Sequence, residues 1–248
     1  MNNTYKTAEI ASLIGIHPNT VRLYEKLKLI PKPARQPNGY RVFSDLHVEQ
    51  FKLARIAFQI EVLQNGLRKK VVDIVKTSAA RDFDQALKLT DEYLHQIKEE
   101  LHNAEEAIRI AKHLVSSQSP EQALILKRKQ AADHLHISMD TLRNWERNNL
   151  LTVSRKENGY RLYSAQDIRR LRIIRSLRCA GYSLSSILRM LTELACNPNA
   201  NIRKILNTPR NGDDIISACD KLILSLHAAE ENAKSMKQIL QQMRCKFS

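Results

Sequence analysis

Apolar positions recur at alternating spacings of four and three along two long stretches of the 248-residue chain. The first stretch carries Phe83, Leu87, Thr90, Leu94, Ile97, Leu101, Ala104, Ile108, Ala111 and Val115. The second carries Ile215, Cys219, Leu222, Leu226, Ala229, Ala233, Met236, Leu240, Met243 and Phe247. Such spacing is a heptad seam, which keeps one helix face apolar. It predicts two long helices, 83–115 and 215–247, each about 50 Å long at 1.5 Å per residue. A helix of that length in a small domain needs a long neighbour, and the second seam supplies one in the same chain. The simpler alternative is an amphipathic helix lying on its own head.

Ahead of each seam the pattern is shorter and more polar. Residues 7–16 read as a helix with Ala8, Ala11, Leu13 and Ile14 inward. Gly15-Ile16-His17-Pro18 breaks it, and Pro18 suits the first turn of a helix at about 18–28. His17 is the expected cap, with Val21 and Tyr24 turned to the core. Two short helices around a tight turn form a helix-turn-helix, whose second helix enters the major groove by its N-terminal end. Pro31 and Pro33 then lead to a basic hairpin with its tip at Pro37-Asn38-Gly39, and Asn-Gly is a strong hairpin signal. A hairpin beside a helix-turn-helix is a wing, and Ser44 starts the next helix.

This head occurs twice. Ala11, Ile16, Thr20, Arg22, Glu25 and Leu29 recur as Ala132, Ile137, Thr141, Arg143, Glu146 and Leu150, and Tyr24 recurs as Trp145. After one deletion, Asn38-Gly39-Tyr40-Arg41 recurs as Asn158-Gly159-Tyr160-Arg161, and Phe43-Ser44 as Tyr163-Ser164. An internal duplication explains this density of agreement. In the second copy Ser138 is the better cap, Ser164 with Asp167 forms a capping box, and helices follow at 165–179 and 183–191. The expected organisation is a head over 1–80, a long helix over 81–118, a second head over 119–195, a link with a short helix (200–206) over 196–212, and a second long helix over 213–248.

Charge follows the same division. The chain is +14 overall, with 40 Lys and Arg against 26 Asp and Glu. Residues 1–80 carry a net +7 and 121–190 a net +8, whereas 81–120 carry −3 and 191–248 only +2. Two basic heads separated by weakly charged helices point to a polyanion. No apolar run reaches the roughly 18 residues a membrane helix needs. Cys179, Cys196, Cys219 and Cys245 include no close pair, so they form no disulfide frame, and a reducing cytoplasm is the expected compartment.

At Thr20-Val21-Arg22-Leu23-Tyr24-Glu25 with Asn38-Gly39-Tyr40-Arg41-Val42-Phe43-Ser44, the sequence resembles the DNA-binding head of the mercury-resistance-regulator (MerR) family. Thr141-Leu142-Arg143-Asn144-Trp145-Glu146 with Asn158-Gly159-Tyr160-Arg161-Leu162-Tyr163-Ser164 resembles it again. The heads cover roughly 5–76 and 126–191, and the long helices look like the family's dimerisation helices. Two departures stand out. The family usually has one head per chain, and it usually has Gly where Lys28 and Asn149 stand, before the hydrophobic pair that ends the recognition helix.

The resemblance implies a mainly α chain. Two winged helix-turn-helix heads are each followed by a long helix, and the two long helices form an antiparallel coiled coil. It implies a transcription regulator on promoters whose two polymerase elements are spaced too widely, where an effector makes the protein bend and untwist the DNA; a repressing form is also common. Arg22 and Arg143 are expected at a base edge or adjacent phosphate. His17, Asn19 and Thr20, with Ser138, Asp140 and Thr141, lie at the groove-entering end. Asp140 repels phosphate, so the second head is expected to accept a different half-site. Tyr40, Arg41, Tyr160 and Arg161 resemble wing residues that hold the backbone, and Lys32, Arg35, Arg155 and Lys156 read as phosphate contacts. Tyr24 and Trp145 either pack in the head cores or line a ligand cavity beneath them. The arginine-rich helix at 169–178 is either a solvated face or a backbone contact.

One chain therefore suits a near-palindromic operator as a pseudo-dimer, acting as a monomer. The competing arrangement is a homodimer with four heads. The expected partners are double-stranded promoter DNA, RNA polymerase indirectly, and a small apolar or drug-like ligand lodged between heads and coil. The protein is expected in the cytoplasm, on the nucleoid when bound to DNA. No cofactor and no metal are expected, because the first long helix lacks cysteine and Cys179 and Cys196 have no ligand at metal-binding spacing. An enzyme is excluded by the absence of a nucleophile–base pair, phosphate loop or metal motif. An architectural or excisionase-like DNA-binding protein without ligand response is the alternative function.

Overall fold

A computed structural model describes residues 3–59, 66–116, 124–154, 159–208 and 221–247. Among them the chain is mainly helical. The elements of the first half are β1 (Thr4–Tyr5), α1 (Thr7–Ile14), α2 (Pro18–Lys26), β2 (Ala34–Arg35), β3 (Arg41–Ser44), α3 (Asp45–Ala57), α4 (Leu67–Ala79) and α5 (Phe83–Ser116). The second half follows with β4 (Ile125–Lys127), α6 (Arg128–His134), α7 (Met139–Arg147), β5 (Leu162–Ser164), α8 (Ala165–Cys179), α9 (Leu184–Cys196), α10 (Ile202–Leu206) and α11 (Leu222–Phe247). They form two compact units, one of residues 1–99 with 225–248 and one of residues 100–224.

In the first unit, Ile10, Ala11, Val21, Ile30, Phe43, Val48 and Phe51 make the head core, with Tyr5, Ile14, Ile16 and Tyr24 packed against it. The buried stripe of α1 differs from the expected one. Ile10 and Ala11 are buried and Thr7 and Ile14 half-buried, whereas Ala8 is exposed and Leu13 is 56% exposed. Positions 7, 10, 11 and 14 share one helical face, and Ala8 and Leu13 lie outside it. β3 is central in a small sheet. It pairs antiparallel with β2 through Ala34↔Val42 and Arg35↔Arg41, and with β1 through Thr4↔Ser44 and Tyr5↔Phe43. The expected hairpin tip forms, with Gly39 N–H donating to the Gln36 carbonyl at 2.8 Å and Gly39 at φ 83°.

Within this unit the start of α5 runs antiparallel to the end of α11. Arg81 donates to the Phe247 carbonyl at 2.9 Å, Arg244 pairs with Asp84 at 2.9 Å, and Lys237 pairs with Asp91 at 2.6 Å. The three contacts fall on one register. The α11 seam is buried as expected from Leu222 through Met243; its predicted positions Ile215 and Cys219 lie outside the described residues. The α5 seam is buried as expected at Phe83, Leu87, Thr90, Ile97, Ala104, Ile108 and Ala111, with Val115 half-buried, but the buried stripe is wider. Tyr93 and Glu100 are buried where Leu94 and Leu101 are only half-buried, and Ala86 and Ala107 join the stripe. A long helix with neighbours on more than one side buries a stripe wider than two positions per heptad.

The second unit repeats the plan. β4 pairs antiparallel with β5 (Ile125↔Ser164, Lys127↔Leu162), and α6 and α7 flank a turn. Its hairpin tip, which contains Arg155 and Lys156, lies outside the described residues. The expected capping box is formed: Ser164 Oγ accepts the Asp167 N–H at 3.1 Å and Asp167 Oδ2 accepts the Ser164 N–H at 2.9 Å. No helix among the described residues is long and apolar enough to cross a membrane.

Candidate nucleic-acid interface

Both candidate reading helices begin on the expected caps. His17 Nδ1 accepts the Asn19 N–H at 3.2 Å, with Pro18 at the first helical position. Ser138 Oγ accepts the Thr141 N–H at 3.0 Å. Each satisfies an N–H that would otherwise lack an intrahelical partner. Both helices also end alike. Leu29 N–H donates to the Tyr24 carbonyl at 2.9 Å and Leu150 N–H to the Trp145 carbonyl at 3.0 Å. This closing turn puts Lys28 at φ 57° and Asn149 at φ 58°, in the left-handed region where glycine costs nothing. The helices end at Lys26 and Arg147, sooner than the expected residue 28 in the first head, because the chain reverses there.

The exposed face of α2 presents His17, Asn19 and Arg22, with Thr20 half-buried. Arg22 Nη1 donates to Asn19 Oδ1 at 2.9 Å and has no carboxylate partner among the described residues. On α7 the matching face presents Ser138, Asp140 and Arg143, with Thr141 half-buried. There Arg143 forms an ion pair with Asp140 at 3.0 Å. Among the described residues, the same scaffold thus displays a guanidinium without a carboxylate partner in one head and one paired with an exposed aspartate in the other.

The hairpin arginines are held from within. Arg41 Nε donates to Glu25 Oε2 at 2.6 Å, and Arg35 lies 3.7 Å from the same carboxylate. Arg161 Nε donates to Glu146 Oε2 at 2.7 Å. Glu146 also accepts from Arg128 at 3.0 Å and from the Tyr163 hydroxyl. Burial and the Glu146 contact push the Tyr163 pKa up to about 12. Each glutamate therefore fastens the hairpin to the helix before it. The repetition of Glu25 and Arg41 as Glu146 and Arg161 was the available signal for this clamp; spacing alone did not pair them. Tyr40 and Tyr160 project from the hairpins, 69% and 66% exposed. Lys32 and Arg35 are exposed, and Arg35 Nη1 donates to the Gly39 carbonyl at 3.4 Å.

A groove of about 770 Å³ runs along α2 in the first head. Arg22, Lys26, Lys28, Lys32, Arg41 and Lys76 line it, against the single carboxylate Glu25. Lys76 comes from α4, a helix without a distinct sequence signal of its own, so its part in the basic surface was not legible. Tyr24 and Trp145 face inward. Tyr24 stacks on Phe51 with ring centroids 5.5 Å apart, and burial raises its pKa. Trp145 is 5% exposed. In the arginine-rich α8, Arg170 donates to the Leu150 carbonyl at 2.8 Å and Arg178 to the Tyr182 carbonyl at 2.6 Å, so these two brace the head rather than forming a plain solvated face. Cys179, Cys196 and Cys245 are free thiols on exposed positions.

Residues 126–194 match the MerR HTH family regulatory protein description, and residues 6–43 match the MerR family regulatory protein description. The chain belongs to the MerR family. It is 27% identical over 111 residues to the mercuric resistance operon regulatory protein of Bacillus cereus, covering 45% of this chain and 80% of that protein. It is 36% identical over 53 residues to the HTH-type transcriptional regulator CueR of Yersinia pestis, covering 21% of this chain and 38% of that one. Over 64 residues it is 36% identical to the HTH-type transcriptional regulator ZntR of Escherichia coli K12, covering 25% of this chain and 45% of that protein. The chain thus spans less than half the length of the CueR and ZntR proteins. No solved structure gives a significant match. As a MerR-family chain with two such heads, it is a DNA-binding transcription regulator.

Proposed function

We propose that this MerR-family chain is a single-chain pseudo-dimer that binds a near-palindromic promoter operator and distorts it in response to a small effector. Each head acts as a winged helix-turn-helix. Helices α2 and α7 read two half-sites in the major groove, and the hairpins carrying Tyr40 and Tyr160 hold the flanking backbone. Arg22 and Arg143 contact base edges or adjacent phosphates, with His17, Asn19, Thr20, Ser138, Asp140 and Thr141 around them. Lys32, Arg35, Arg155 and Lys156 neutralise phosphate, and Arg41 and Arg161 fix the hairpins at the angle the backbone needs.

The observation that carries this reading is the antiparallel contact of α5 with α11 inside one chain, through Asp84–Arg244 and Asp91–Lys237. It supports a coiled coil in which the symmetry partner of each helix is its own repeat. RNA polymerase is then affected through the shape of the DNA. Selection of bound sequences from random DNA tests the reading. It is expected to yield two unequal half-sites at a fixed separation. Recovery of isolated single half-sites would contradict it.

A further inference from the structure

Within the second unit a cleft of about 480 Å³ lies between the later part of α5 and helices α6 and α8. One wall is apolar: Ala107, Ile110 and Leu114 from α5, with Leu135 just past the end of α6. The other wall carries Arg172 and Arg175 from α8. Neither has a carboxylate partner among the described residues. Arg172 Nη2 lies 2.8 Å from His134 Nε2, a neutral acceptor when that nitrogen lacks its proton. Arg175 makes no hydrogen bond or ion pair among the described residues. Glu106, the carboxylate on the described rim, is taken up by Arg109. The long helices align at an offset of 125, which brings Ala104-Glu105-Glu106 onto Ala229-Glu230-Glu231 and Ala107 onto Asn232; in the first unit Asn232 donates to the Ile56 carbonyl at 3.4 Å.

Arg175 is half-buried and Arg172 exposed at the cleft mouth; guanidinium groups without a counter-charge, facing apolar carbon, stabilise an anion and repel a cation. We propose that this cleft takes a small soluble anionic amphiphile, an aromatic or short alkyl body with one carboxylate or sulfonate, and that this class is the effector. The proposal rests on the reading of the chain as a ligand-responsive regulator. It replaces the expected apolar or drug-like ligand with an acid. The apolar body lies on Ile110 and Leu114, and the acid group bridges Arg172 and Arg175. Because α5 and α8 supply opposite walls, a ligand there links the long helix to the head that carries α7.

The probe is anilinonaphthalene sulfonate, titrated into the full chain. The chain has a single tryptophan, Trp145, and the groove it lines shares Arg175 and Cys179 with the cleft. Energy transfer from Trp145 therefore reports probe bound near this unit, and the two cleft variants below assign it to the cleft. One-to-one saturable binding is expected, weakened about tenfold by Arg175→Gln and by Ile110→Glu. Ile110 is 38% exposed, so its variant keeps the test valid if Arg175→Gln unfolds. Proflavine, a cation, is expected to bind wild type no more tightly than either variant. Absence of saturable binding, or equal affinity in wild type and both variants, overturns the proposal.

A footprint on selected promoter DNA with and without the probe separates this from the underlying reading. Binding at the cleft with an unchanged footprint removes the effector role. A footprint that responds to the probe equally in both variants upholds the responsive regulator but overturns this site.

Discussion

The two heads share a backbone plan and differ in how they handle charge. In the first, Glu25 holds Arg41 and Arg35, and Arg22 lies beside Asn19 with no carboxylate partner among the described residues. In the second, Glu146 is gripped by Arg161, Arg128 and Tyr163, and Arg143 is paired with the exposed Asp140. The first head buries the plain ring of Phe43; at the matching place Tyr163 adds a hydroxyl that donates to the glutamate. Duplication has kept the geometry and let the electrostatics diverge. The first head leaves its exposed helix arginine beside an amide; the second places a carboxylate beside the matching arginine.

The largest contrast is expected in stability. Glu146 is 10% exposed and neutralises two guanidinium groups. Glu146→Ala strands both beside the core and is expected to cost about 3 kcal/mol in chemical denaturation. Glu25 is 17% exposed with one close partner, so Glu25→Ala is expected to cost about 1–2 kcal/mol. Equal losses would erase the distinction between the heads.

Affinity comes next. Arg22→Ala is expected to weaken specific binding by about 1–3 kcal/mol, measured by gel shift on the selected sequence. Arg143→Ala is expected to cost less, because Asp140 already offsets its charge. Asp140→Asn releases Arg143 and is expected to steepen the salt dependence of binding by about one counterion. An unchanged affinity in both arginine variants would remove α2 and α7 as the reading helices.

A smaller effect tests the helix ends. Lys28→Gly relieves a left-handed side chain and is expected to stabilise by about 1 kcal/mol. Asn149→Gly is expected to give a few tenths, since Asn tolerates that conformation. The smallest contrast is in acid. His47 Nδ1 accepts the Ser44 N–H at 3.0 Å, and burial lowers the His47 pKa. The folded value lies below the unfolded one of about 6.5. The stability from neutral His47 is therefore whole above that pH and falls as pH drops through it. His47→Gln is expected to flatten the slope of stability just below about pH 6.5. In the second head the same position is Asp167.

Much of this was legible because it is local. His17, Ser138 and Ser164 cap helices through contacts two or three residues away, and Asn38-Gly39 turns the hairpin within itself. The seam of α11 was legible because an unbroken period of apolar residues has one inward face. What escaped the sequence is non-local. β1 and β4 are two and three residues long and exist only because β3 and β5 pair with them. The inward stripe of α1 depended on which face met Phe43 and Phe51. The glutamate clamps were visible as repeated letters, but pairing Glu25 with Arg41 across the head required the fold. So did the divided roles of α8, where Arg170 and Arg178 brace the head and Arg175 faces the cleft.

The central claim is that one polypeptide supplies both reading heads through its own α5 and α11. Light scattering of the purified complex with the selected DNA measures this directly. One chain per duplex is the expected mass. Two chains per duplex, persisting at dilutions near the binding constant, would contradict the claim and give the four-headed homodimer in its place.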